Sequence, residues 1–581
     1  MPRATIAART PRKGRFSGTA VVAALGFLVF IAAWLIPNHY PPWTSFYNEG
    51  AAFLALAMLG LAGLAQRDDS QFDAIPLILA FFVLIVGLQW AGGLIAYHGD
   101  AVLSSLYLVG FAIAWCLGRQ AVGGAAPQSP PALDWLATAV VVASAISVYA
   151  ALLQWLSMES ETGNMVTEWG AGGRPGANLA QANHFATLTI VAAVLSIHLH
   201  ERGFLRRWQL YALLSWMALG TTTAESRTAL LSVLALGVLF VWRGRELLSR
   251  VSQRALFMWW AALIALFLTW APLNRALLLT PTRGVAGVAN DAGRLQIWHQ
   301  MLAAIEQSPW WGYGWRQTVL AQKAGSAAEP AAPITDYAHN LALDLYVWLG
   351  VPLASVLLVC VAWWLLRAVN RIQTVQQWLI VAAVVPVLVH SLVEFPFAYA
   401  YFLFPCAALL GMLAALQYQP TDRTWSIAPG WSSSLKAVVF GLFMCVSGWA
   451  AYEYRLAEDD FRVMRFEMRA VGQRPEGHEP PNLLLLDQIG EVLYLGRLEP
   501  TPHMPKEDIE RLRVASDNTM WATAHLRYIV SLGLNGRPDD AKRELRKLKD
   551  FYGERSYAQA KSLILELQKS KYPQLKDVVP P

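Results

Sequence analysis

The chain has 581 residues, of which 55% are hydrophobic and only 15% charged, and its formal net charge is +6. Mean hydropathy is +0.36, and apolar runs of about 20 residues, the length that crosses a bilayer, recur along most of the chain, so a soluble globular enzyme is excluded and a polytopic membrane protein is expected. The basic residues fall in short loops rather than on one face, which leaves nucleic-acid binding without support. Cys116, Cys360, Cys406 and Cys445 all lie inside apolar segments, so neither a disulfide framework nor a thiolate metal site can be built from them.

In chain order, a basic N-terminal segment precedes a long apolar stretch with no clear small-x-small cleavage site, which reads as a first transmembrane helix with its N-terminus in the cytoplasm rather than a cleaved signal. Segments able to span fall at 18–37, 48–65, 74–96, 101–117, 133–156, 180–197, 208–224, 228–243, 256–272, 340–366, 376–394, 398–417 and 435–454. With that start, the cytoplasmic loops hold Arg67, Arg119, Arg202, Arg206, Arg207, Arg243, Arg245, Arg250, Arg254, Arg367, Arg371 and Arg423. The short outer loops hold almost no basic residue except Arg174 and Arg227, an asymmetry that follows the positive-inside rule. It places 38–47, 157–179, the long loop 273–339 and the C-terminal tail on the outer face. The fold expected is all-α: a bundle of about thirteen spans over 1–455, carrying the loop 273–339, and a small helical domain over 456–581. In that domain two helical patterns flank a Gly-Arg-Pro turn, like a single tetratricopeptide helix pair.

The long loop is the most informative stretch. Arg294 opens an amphipathic pattern in which Leu295, Trp298, Met301, Leu302 and Ile305 recur at helical spacing, Pro309 ends it, and an aromatic, glycine-broken run follows. His339 and Asn340 then stand at the mouth of the next apolar segment. Arginine near a membrane is costly and calls for a reason. Arg174, Arg227 and Arg294 share the outer face, and forked guanidinium donors converging on one cavity suit a diphosphate; each alone also reads as an interfacial arginine snorkelling to headgroups, and Arg227 as a partner of Glu225. An imidazole at His339 can take a proton from an attacking hydroxyl, donate to a phosphate, or simply bond a backbone carbonyl. The segment 390–401 sets Glu394, Tyr399 and Tyr401 around a proline break, which can line a cavity or form an aromatic belt. The first outer loop, with His39, Trp43 and Glu49, is likewise aromatic and ambiguous by itself. No outer loop carries a carboxylate, histidine or thiolate cluster suited to a catalytic metal, and no P-loop, nucleotide fingerprint or nucleophile elbow is present, so no cofactor is expected.

Taken in order, the HYPPW…FYNE loop, GRPGANLAQANHFATL, ESRTALL, GRLQIW…SPWWGYGW, DYAHNLALDLYVWLG and HSLVEFPFAYAYFLFP resemble the O-antigen ligase and polymerase superfamily, and within it the bacterial O-linked oligosaccharyltransferases of the PglL type. The resemblance runs from residue 38 to about 405; Gln181-Ala182-Asn183 stands where that family often has Gln-Pro-Asn. It implies a GT-C-like helical fold in the bacterial inner membrane with a periplasmic active site. The implied reaction is en bloc, inverting, metal-independent transfer of a preassembled glycan from undecaprenyl diphosphate to serine or threonine hydroxyls of a pilin-like periplasmic protein. Arg174, Arg227 and Arg294 then look like diphosphate binders and His339 like the catalytic or activating histidine. Gln181, Asn183, Asn340, Glu394, Tyr399, Tyr401, His39 and Trp43 look like substrate-binding cavity residues. The alternatives are an O-antigen ligase delivering glycan to lipid A–core, a lipid-linked glycan polymerase, and a transporter, which would show broken helices in repeated halves or charges deep in several spans.

Overall fold

A computed structural model describes residues 18–65, 71–122, 130–168, 173–248, 250–279, 292–419, 421–426, 429–469 and 478–579. The basic N-terminal segment, Arg67 and the part of the long loop at 280–291 lie outside the described residues. Among those described, thirteen helices coincide with the thirteen expected spans: α1 (Gly18–Leu35), α2 (Phe46–Leu64), α3 (Ala74–Ala91), α4 (His98–Val122), α5 (Pro131–Trp155), α6 (Ala182–Glu201), α7 (Arg207–Thr223), α8 (Arg227–Leu239), α9 (Gln253–Ala276), α12 (Leu341–Asn370), α13 (Val375–Ser391), α14 (Ala400–Leu416) and α15 (Pro429–Met468). Between α9 and α12 lie the shorter α10 (Ala292–Gln307) and α11 (Thr318–Gly325), and after α15 come α16 (Asp487–Leu495), α17 (Lys506–Asn518), α18 (Ala522–Leu534) and α19 (Pro538–Ser570). Among the described residues ten helices are long and apolar enough to cross a membrane, α13 and α14 are shorter apolar helices, and α7 falls outside both sets. The chain is a multi-pass, all-helical membrane protein; its only pairing of extended backbone among the described residues is Gln71–Phe72 antiparallel to Trp425–Ser426.

Side-chain caps start the helices where the apolar runs begin. Asp73 accepts from Ile75 N at the start of α3, Ser252 from Ala255 N at α9, and Thr374 with Gln377 forms a capping box on α13. Helix α6 is the axis of the bundle, buried from Ala182 to His200. Small residues let α4 and α14 touch: a Cβ on Gly118 would stand 2.1 Å from the Ala408 carbonyl oxygen and one on Gly411 2.2 Å from that of Trp115. At the end away from the long loop, ion pairs tie helices together, Asp73 with Arg119, Asp134 with Arg202 and Asp422 with Arg371.

The long helix α15 runs without a break through residue 455, where the tail was expected to begin as a separate unit. The chain then returns to the bundle, and residues from Leu495 to Val579 form a hydrophobic cluster of their own. Helices α18 and α19 flank the Gly-Arg-Pro turn, and α19 kinks at Gly553 (φ 83°). Lys323 of α11 reaches across to the Ser516 carbonyl, to that of Thr519 at 2.9 Å and over the Phe551 ring at 5.0 Å, so the long loop and the tail are joined.

Candidate active site

Helix α10 buries Ile297, Met301 and Ala304. Leu295 and Leu302, expected on the same inward face, are exposed instead, because the buried stripe is narrower than the apolar pattern. The helix therefore presents Arg294 at its first turn to the bundle's centre. Beyond it the Pro309–Trp315 turn is locked against the kink in α12: Gly312 (φ 67°) and Gly350 (φ 74°) adopt left-handed backbone. A Cβ on either would come within 2.4 Å of the other strand's carbonyl, that of Val347 or Trp310, so only glycine fits. Ala338 is gripped from both sides, its N–H by Asp344 of α12 at 2.9 Å and its carbonyl by the Trp298 indole at 3.0 Å. Those two bonds aim the next residue, His339, which itself holds left-handed backbone (φ 54°), a strained setting for a non-glycine residue.

The side chains meet at Glu394. Oε2 of Glu394 lies 2.7 Å from His339 Nδ1, and Oε1 accepts from Asn183 Nδ2 at 2.9 Å and from Arg294 Nη2. The carboxylate is 5% exposed, while His339 and Arg294 are 20% and 22% exposed. The hub is thus hidden, and two of its partners, His339 and Arg294, reach solvent. Burial pushes the Glu394 carboxyl up, but the His339 hydrogen bond and the charges of His339 and Arg294 outweigh it and hold the group at about 2, below its ordinary 4.5. An anionic Glu394 accepting from Nδ1–H leaves Nε2 of His339 as the basic nitrogen, the arrangement that equips an imidazole as a general base.

A second strand of the network joins the other arginines. Ser226, which caps α8 through Ala229 N, donates to Asn183 Oδ1 at 2.9 Å. Arg227 follows it as the first residue of α8, and Arg174 Nη1 donates to the Glu225 carbonyl at 3.2 Å. Arg174, Arg227 and Arg294 are therefore connected through one turn and one glutamate. Gln181 is the N-cap residue of α6, two positions before Asn183, with no side-chain capping bond. Tyr399 packs edge-on against His184 at 4.5 Å, and the buried Tyr401 places its hydroxyl 3.4 Å from His184 Nδ1.

Three expected cavity residues have other partners. Asn340 uses its side-chain oxygen to cap α12, accepting from Ala342 and Leu343 N, because a helix starting inside protein leaves those amides unpaired. His39 sets its ring nitrogens against the Thr44 and Asn178 carbonyls, and Trp43 bonds Ser45 and packs on Tyr454. None of these contacts involves the Glu394 cluster. Sequence reasoning passed over Ser226, Asp344, Thr187 and the buried pair His184 and His390. The pair's rings are 5.3 Å apart, with Thr187 Oγ1 2.8 Å from His390 Nδ1. The signal available was their polar character inside apolar helices, since such residues face the interior of a bundle.

Residues 210–358 match the family described as O-antigen ligase, and residues 378–563 that described as virulence factor membrane-bound polymerase, C-terminal. The chain is 26% identical over 545 residues to a general O-oligosaccharyltransferase of Acinetobacter baylyi, covering 91% of this chain and 93% of that protein. It is also 26% identical over 433 residues to a ComP-specific O-oligosaccharyltransferase of the same organism, covering 72% and 75%. The all-helical membrane bundle, matched to these proteins, is a membrane glycosyltransferase. Along nine-tenths of its length the chain is similar to a protein named as an O-oligosaccharyltransferase.

Proposed function

We propose that the chain moves a preassembled glycan in one step from undecaprenyl diphosphate to serine or threonine hydroxyls of exported proteins such as a pilin. On this reading it sits in the inner membrane with its N-terminus cytoplasmic and both site and tail periplasmic. The observation that carries the reaction is the shared grip of Glu394 on His339 and Arg294. The acceptor hydroxyl attacks the anomeric carbon from the face opposite the phosphate. Its proton goes to His339 Nε2, the bond from that carbon to the phosphate oxygen breaks, and the electron pair leaves with the lipid diphosphate. Arg174, Arg227 and Arg294 stabilise the charge gathering on that leaving group. Glu394 keeps the imidazole in its productive tautomer and stabilises the imidazolium that forms, while Asn183 and Ser226 hold Glu394 in place. The membrane bundle 1–455 supplies this machinery, and the helical tail 456–581 is an acceptor-side platform resting on the loop.

The test is expression in cells lacking their own ligase and oligosaccharyltransferase, together with a lipid-linked glycan pathway, a pilin-like acceptor and lipopolysaccharide. Glycan on the protein supports the reading. Glycan on the lipopolysaccharide alone replaces it with an O-antigen ligase that keeps the same residues.

A further inference from the structure

Across a stack of aromatic rings from Glu394 lies a second group of polar side chains that the mechanism does not use. Tyr337 stacks on Phe395 at 5.0 Å and Phe395 on Tyr399 at 6.1 Å, while His339 meets the same Phe395 edge-on at 4.9 Å. On the Tyr337 side the Arg316 guanidinium stands 5.9 Å from the ring. Among the described residues the Arg316 side chain makes neither a hydrogen bond nor an ion pair, though it feels the charges of Asp100 and Asp336. Tyr107, whose hydroxyl donates to Glu49 Oε2 at 2.7 Å, and Tyr337 add phenols. Protein surrounds these groups, yet Asp336 is exposed and Asp100, Arg316 and Tyr337 are only half-buried. Water therefore reaches each of these four side chains. Arg316 holds left-handed backbone (φ 62°), as His339 does (φ 54°), so strained non-glycine residues stand on both sides of Tyr337.

The chemistry of this polar group selects among ligands. Two carboxylates against one guanidinium disfavour a phosphate. Forked donors, carboxylate acceptors and phenols around an aromatic face suit a neutral ring rich in hydroxyls, whose C–H face lies on the aromatic ring while its edge is hydrogen-bonded. We propose that the water-reached polar group of Asp100, Arg316, Asp336 and Tyr337 is a carbohydrate subsite that holds the donor's sugars beside His339. This deepens the reading above and rests on it. The diphosphate occupies the arginine side of the aromatic stack and the glycan the Arg316 side, with the anomeric carbon between them. Arg316 and Asp336 act as specificity residues, choosing which sugar hydroxyls or acetamido groups are accepted.

The experiment uses the full chain in detergent and a panel of methyl glycosides of hexoses and N-acetylhexosamines, probes that carry neither phosphate nor lipid, with binding read by ligand-observed NMR. At least one glycoside should bind wild type. Arg316→Ala and Asp336→Asn should each weaken it about tenfold, the worth of one charge-assisted hydrogen bond, and Arg294→Ala, across the stack, should leave it within about twofold. If Arg316→Ala does not fold, Arg316→Lys and Asp336→Asn carry the test. The proposal is overturned if no glycoside binds wild type, if the Arg316 and Asp336 variants bind as wild type does, or if they lose affinity for a serine-containing acceptor peptide and keep it for the sugar. A wild-type protein that binds the glycoside but glycosylates neither protein nor lipopolysaccharide sinks the transferase reading and leaves the sugar subsite standing.

Discussion

Two buried glutamates organise the functional end of the molecule, and they differ in what they hold. Glu453, on α15, gathers main chain: its carboxylate accepts from the amides of Leu484, Leu485 and Leu486 at 2.7, 2.8 and 2.9 Å, besides the Trp449 indole at 2.7 Å. Glu394 gathers side chains: the imidazole of His339, the guanidinium of Arg294 and the amide of Asn183. Main-chain amides neither titrate nor leave, so Glu453 is a clamp that fastens the returning chain to the bundle. The partners of Glu394 can exchange protons or turn toward a ligand, so the same carboxylate chemistry there suits the reaction proposed above. Burial alone would not separate the two; the identity of the donors does.

The largest effect expected is at the base. His339→Ala should lower glycan transfer at saturating donor on the order of 10²–10⁴-fold, with the melting temperature in detergent little changed. Transfer at the wild-type rate would move Glu394 from the reactive class to the clamp class. Arg294→Ala should cost about 10²–10³-fold, the scale of one lost donor to a developing negative charge, with Arg294→Lys recovering part of it. Glu453→Ala should behave in the opposite way. Stranding buried amides costs about 1–3 kcal/mol, visible as a lower melting temperature, while transfer per folded molecule stays at the wild-type level.

A pH series sharpens the comparison further. The Glu394 carboxyl is held at about 2 against its ordinary 4.5, so its contribution to stability is complete above about 4.5 and drains away as pH falls toward 2. Melting temperature should therefore drop through that window in wild type and drop less in Glu394→Gln; equal slopes would mean the carboxylate is not charged in the folded state. The smallest effect expected is at Lys323, whose ammonium burial pulls down from 10.5 to about 8. Because the unfolded chain then binds more protons, contact between loop and tail should tighten as pH rises from about 8 to 10.5. Lys323→Met should abolish that rise.

The sequence was most legible where the physics is local or repetitive. Thirteen spans can be read from runs of apolar residues because a bilayer demands them whatever the neighbours are, and each of the thirteen meets a helix in the structure. The expectation that Arg174, Arg227, Arg294 and His339 share one face followed from loop order, and the family resemblance from motifs in sequence. The central role of Glu394 was not legible. The positions that complete it, Asn183, Arg294 and His339, are 211, 100 and 55 residues away, and only packing decides which of many outer polar residues converge. Asn340 shows the converse: the His-Asn pair looks like one site, yet the asparagine side chain caps the helix while the histidine meets Glu394. Length, hydropathy and charge asymmetry thus determined the membrane bundle and the end expected to carry the site, since these depend on each segment's free energy in lipid or water. Tertiary structure alone decided which carboxylate serves the histidine and which holds the backbone, because hydrogen-bond partners are fixed by distances that chain order does not encode.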